Sequence, residues 1–174
     1  MVMTPPLRKF ALTAHLTCSV GWIGAVIAYL ALVVAAMTSP DSRTLRAAWI
    51  AMEVIGWYVI VPLALASLLT GLVMALGTQW GLLRHYWVLL SLMLTILATV
   101  VLLAHMQTVS NVAHRAAETP SAAVGGLSSE LVHAGVGMLV LLVIQVLNMY
   151  KPRGMTPYAW RKQQERRTVS PAET

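Results

Sequence analysis

Charge is scarce in this sequence. Of its 174 residues only 10% are Asp, Glu, Lys or Arg, and six of these are acidic. A soluble domain carries about 25% charged residues to keep its surface wet, so a water-exposed globule is excluded. So few acids also argue against a hydrolytic pair of carboxylates inside an apolar span. Cysteine occurs once, as Cys18 within an apolar run, which excludes a disulfide framework and a thiolate zinc knuckle. There is no glycine-rich phosphate loop ending in Lys-Ser/Thr, no H-E-x-x-H and no G-x-S-x-G, which removes the nucleotide-binding, metalloprotease and serine-hydrolase signatures.

What fills the space is hydrocarbon: 58% of the residues are hydrophobic. Four long stretches lack any Asp, Glu, Lys or Arg: Phe10 to Pro40, Val54 to Leu83, His85 to His114 and Leu131 to Tyr150. Each exceeds the ~20 residues that a helix needs to cross ~30 Å of hydrocarbon. No alternating barrel pattern is present, so helices are the means of satisfying backbone polar groups in lipid. The expected architecture is an all-α, up-down bundle of four transmembrane helices, near residues 10–37, 46–77, 85–108 and 130–150. Together they form one domain over 1–154, and 155–174 forms a basic cytoplasmic tail. The first span is too long for a signal-peptide core and is read as a retained helix. Pro62 is expected to bend the second span near Tyr58, because it removes one backbone donor. Polar residues from Gln107 to Ser129, with Thr119-Pro120 and Gly125-Gly126, read as a mobile outer loop.

The basic residues set the orientation. Arg8, Lys9, Arg84 and the six that follow Tyr150 lie on one side of the bilayer, whereas only Arg43, Arg46 and Arg115 lie on the other. The side rich in Lys and Arg stays in the cytoplasm, which favours N-in/C-in and a multi-pass protein of the bacterial inner membrane. Trp80, Tyr86, Trp87 and Tyr150 then fall at the inner ends, where amphipathic rings prefer to lie. The net charge of +6 is concentrated in the C-terminal tail and points to anionic lipid, with no nucleic-acid partner.

An ionisable group within a span costs ~2.5–3.5 kcal/mol on insertion scales, so each is a candidate by default. These are His15, Glu53, His105 and His133, with His85 and His114 near the interfaces. Topology puts Glu53, His105 and His133 at one level in the outer leaflet. Imidazole and carboxylate together suit a transition metal or a proton relay, and two histidines on facing helices suit the axial positions of haem b. The competing reading is interhelical hydrogen bonding that merely holds helices together. In the inner half His15 stands alone, with Cys18 one turn on. Gly21, Gly24, Gly135 and Gly137 are expected to let helices approach closely. A sparse polar path of Thr17, Ser19, Thr70, Ser91 and Thr95 leaves a metal or small-solute transporter subunit open. A homo-oligomer or a membrane-complex partner, including a non-enzymatic scaffold role, is a further alternative.

The stretch His15-Leu-Thr-Cys-Ser-Val-Gly-Trp22-Ile-Gly24 resembles the first-helix signature H-x6-W-x-G of the CopD-like membrane proteins. That group includes copper-resistance D proteins, the HemJ type of protoporphyrinogen oxidase and a bacterial integral-membrane family of unknown function. Ala51 to Gly71, Trp80 to Val88 and Lys151-Pro152-Arg153-Gly154 look most like the last of these, so the resemblance spans nearly the whole chain. It implies a four-helix membrane fold and, from the HemJ type, haem b on His15. The HemJ type carries a lysine four places after its third-helix tryptophan, and Ser91 stands there after Trp87. The resemblance therefore implies a haem protein more readily than that oxidase.

Overall fold

The computed structural model describes residues 3–77, 85–118, 126–151 and 160–161. They form α1 (Pro5–Thr38), α2 (Ser42–Ile55), a π-helical turn (Gly56–Ile60), α3 (Val61–Gly77), α4 (Tyr86–Glu118) and α5 (Leu127–Tyr150). The α2–π–α3 run is one continuous span, so the described residues make four helices long and apolar enough to cross a membrane. The protein is a multi-pass membrane protein. The C-terminal tail apart from residues 160–161, Trp80 and most of the expected outer loop's second half lie outside the described residues.

Local chemistry explains where the helices begin and end. Prolines at the first two positions of α1 have no N–H to leave unsatisfied, so the helix starts at Pro5, ahead of the expected residue 10. Pro40 follows the end of α1, and Asp41 then caps α2 by accepting from Arg43 N at 3.1 Å and Thr44 Oγ1 at 3.2 Å. That cap starts α2 at Ser42, four residues before the expected Arg46. Helix α4 continues to Glu118, well into the stretch read as loop, because Val109, Ala113 and Ala116 form a buried stripe at helical spacing. Polar residues on its other face had hidden that stripe.

The bend expected near Tyr58 falls on the π-turn. Val61 N–H reaches back five residues to Gly56 O, and Pro62 follows without a donor. Gly56 opens that turn beneath the Met106 thioether, where any side chain would collide with Met106 Cε. Glycine is there for close approach of the second and third spans.

Antiparallel contacts order the bundle. Ser19 and Ser67 bond at 2.8 Å and His15 and Thr70 at 3.1 Å, so α1 and α3 run in opposite directions. Trp57 donates to Ser110 at 2.9 Å, which pairs the second span with α4. The first span packs on the second and fourth, and the third span does likewise, so neighbours in sequence are neighbours around a square. Leu69, Val100, Leu139 and Val146 are exposed around the outside, as a lipid-facing surface requires. At 34 and 33 residues, α1 and α4 are each roughly 50 Å long, beyond the hydrocarbon thickness. The excess carries a packed core of Val33, Trp49, Met52, Met106 and Val109, all essentially fully buried.

Candidate functional sites within the bundle

Two groups of polar side chains lie inside the bundle, one towards each end. The loop end is the end where α1 turns into α2 and α4 approaches α5; the terminal end holds the start of α1 and the end of α5.

At the loop end three helices converge on Glu130, which is 4% exposed. Tyr29 from α1 donates its hydroxyl to Glu130 Oε1 at 2.6 Å. His105 from α4 places Nε2 at 2.9 Å from Oε1 and 3.0 Å from Oε2. An ionised carboxylate only accepts, so Nε2 carries the proton in both contacts, and in the neutral ring Nδ1 is then an acceptor. His133, one turn after Glu130 on α5, stacks on His105 with ring centroids 3.9 Å apart and planes 8° from parallel. A buried carboxylate is tolerable only when paired and hydrogen-bonded, and this one is.

The expected trio of Glu53, His105 and His133 is thus only partly brought together. His105 and His133 meet, but Glu53 lies on α2 across the bundle, with its carboxylate 3.9 Å from the largely exposed His114. Glu130 takes its place. Glu130 sits at the first residue of the expected fourth helix, just outside the charge-free stretch that begins at Leu131, and so is not among the ionisable groups counted within the spans. The signal was present as Glu130-x-x-His133, a spacing that puts both side chains on one helix face.

The geometry also tests shared ligation. An imidazole nitrogen binds a metal along a lone pair in the ring plane, at about 2.0–2.1 Å for zinc. In this arrangement the parallel planes do not direct their lone pairs at a common point. Among the described residues no group of three His, Cys, Asp or Glu side chains is arranged to hold a metal.

Beside this cluster a cleft of about 440 Å³ runs down between α1, α4 and α5. Its wall is hydrocarbon apart from Tyr29, His105, Glu130 and His133 at one end. Gly137 lines it, and a side chain added there meets nothing within 4 Å. Gly24 and Gly135 are equally open, so the close approach expected of these three glycines is absent. Gly21 makes only ordinary contact with Leu63.

At the terminal end His15 lines a second cavity of about 290 Å³, together with Ser19, Ser67, Ser91, Thr95, Gln145 and Asn148. Of the five residues in the sparse polar path, Ser19, Ser91 and Thr95 line this space, Thr70 bonds to His15, and Thr17 faces outward. Gly71 faces the His15 ring, where an added side chain would press on Cε1 at 3.1 Å. Thr70 has a single hydroxyl proton, donated to Ala66 O at 2.6 Å. Towards His15 it can only accept, so the neutral ring carries its proton on Nδ1 and presents Nε2 as a lone pair. Ser91 Oγ, buried on the same wall, has no hydrogen-bond partner among the described residues. Exposed Leu12, Leu16 and Met149 form the rim, so the cavity opens sideways between α1 and α5.

No family model matches the chain, and no curated protein and no solved structure matches it.

Proposed function

We propose that the protein is a haem-b-binding protein of the bacterial inner membrane, with His15 Nε2 as the iron ligand and both termini in the cytoplasm. The observation that carries this reading is the hydrogen bond between His15 Nδ1 and Thr70 Oγ1. A ligating histidine characteristically donates its other ring N–H to a second group, which fixes the ring and leaves the lone pair for the metal. The Nδ1 bond to Thr70 does this, and the His15 ring lines a polar cavity.

Ligand count favours haem over a bare ion. A structural zinc ion needs three or four His, Cys or carboxylate donors, and this cavity offers one imidazole among hydroxyls, amides and the Met74 and Met149 thioethers. A tetrapyrrole brings four nitrogens and asks the protein for one or two axial ligands. The cavity lies just below the ~300–1,000 Å³ of typical ligand pockets, so an edge of the macrocycle would project through the opening between α1 and α5. Bound iron would supply one-electron chemistry. His15 would hold it, Thr70 would orient His15, and Gly71 keeps the space beside the ring. The resemblance to CopD-like and HemJ-type proteins supports the same residue, while Ser91 in place of the lysine argues against protoporphyrinogen oxidation.

The test is an absorption spectrum of detergent-purified protein from haem-replete cells, oxidised and dithionite-reduced, with metal analysis alongside. A Soret band with sharpened reduced bands, lost in His15→Ala, is the expected result. Full haem content in His15→Ala, or none in the parent, overturns it. Stoichiometric copper, zinc or iron without a Soret band would replace haem by a bare ion.

A further inference from the structure

The geometry points to a second ligand site at the loop end: the cleft between α1, α4 and α5 binds a membrane-soluble quinol, a hydroxyl-bearing ring on a hydrocarbon tail. The cleft is distinct from the His15 cavity, and the inference does not depend on haem.

Size and lining come first. About 440 Å³ is within the range of small-molecule pockets, and its walls are almost entirely apolar. Leu97 and Val101 on α4, with Val132 and Val136 on α5, both line the cleft and are exposed on the bundle surface. Its mouth therefore opens between α4 and α5 towards the hydrocarbon, and a ligand enters from lipid. Trp22, Val26 and Leu141 close the far wall, which suits a tail.

The head end decides the ligand class. Glu130 has about four acceptor positions, and three are engaged by Tyr29 and by both contacts from His105. One position on Oε2 remains. While the His105 ring is neutral its Nδ1 is a second acceptor, because its one proton lies on Nε2 towards Glu130. Both lack donors, so the complementary head must donate. A fatty acid or a phosphate would instead bring negative charge against a buried carboxylate, which is costly. A flat ring suits the stacked imidazole pair, whose faces are nearly parallel. A neutral ring carrying hydroxyls meets all three demands, whereas its oxidised form brings only acceptors to the same atoms.

The experiment is equilibrium binding of decylubiquinol to the full chain in lipid nanodiscs, kept anaerobic, with decylubiquinone, decanol and oleate as competitors. Saturable binding of about one quinol per chain is expected, at least tenfold tighter than the quinone and unaffected by equimolar decanol or oleate. Gly137→Leu fills the cleft where nothing stands within 4 Å and should abolish binding. Gly135→Leu is equally uncrowded but lies off the cleft, and should bind as the parent does. Glu130→Gln should weaken binding at least tenfold. Equal displacement by decanol would make the cleft a general acyl groove and overturn the inference. So would unchanged affinity in Gly137→Leu, a preference for the quinone, or no saturable binding to the folded parent.

Discussion

The two ends of the bundle solve opposite problems. At the loop end Trp49, Met52, Met106, Val33 and Val109 are essentially fully buried, and the charged cluster is bonded internally. At the terminal end the interior is lined by hydroxyls, a glycine stands against the histidine, and Ser91 Oγ is unpartnered. Helices of about 50 Å exceed the ~30 Å of hydrocarbon, so part of the bundle packs beyond the lipid, where water supplies a hydrophobic drive. Within the lipid that drive is absent, and hydroxyl pairs such as Ser19–Ser67 hold α1 to α3. A carboxylate is best kept at the tightly packed end. A free imidazole lone pair is best kept where packing is looser.

This contrast can be tested by thermal unfolding of variants in one detergent. The largest effect should come from Trp49→Ala, which empties a fully buried site and is expected to cost about 3–5 kcal/mol. A loss under ~1 kcal/mol would erase the distinction between the ends. Next is Glu130→Ala, which strands the Tyr29 hydroxyl and the His105 N–H and should cost about 3 kcal/mol. Ser91→Ala should move the other way, gaining up to about 1 kcal/mol, because it removes a buried hydroxyl that bonds to nothing. A loss of similar size would mean that Ser91 is bonded within the folded protein. The smallest effect belongs to Glu53→Gln. Its partner His114 is mostly exposed at 3.9 Å, so the change should stay within about 0.5 kcal/mol and leave quinol affinity untouched. A tenfold loss of affinity in Glu53→Gln would return this acid to the cluster.

The four spans were legible because lipid imposes length and apolarity on the whole of each helix, and both are read by counting. Individual partners were not. Glu53 and Glu130 both lie near the loop end, and only the helix around which each is wound tells which one faces His105. Charge-free windows mark where a span lies in the bilayer, yet they cut away a carboxylate that belongs to the helix. Glycine pairs read as contact points because small residues permit approach. At Gly135 and Gly137 the neighbouring helix does not come, and at Gly137 the space becomes cleft. His15 was identifiable from its rarity, but its free nitrogen depends on where one threonine sends its proton.

The π-turn has an arithmetic consequence. At about 100° per residue, the inward stripe Leu45, Ala48, Trp49 and Met52 and the stripe Ile60, Val61, Ala64 and Ser67 point about one residue apart in phase. An unbroken α-helix would turn one of them away from the bundle. The wide turn at Gly56–Ile60 takes up one surplus residue and brings both stripes back to one side. The second span is therefore two helical screws with a washer between them, and a chain one residue shorter there would close the joint with both threads still aligned.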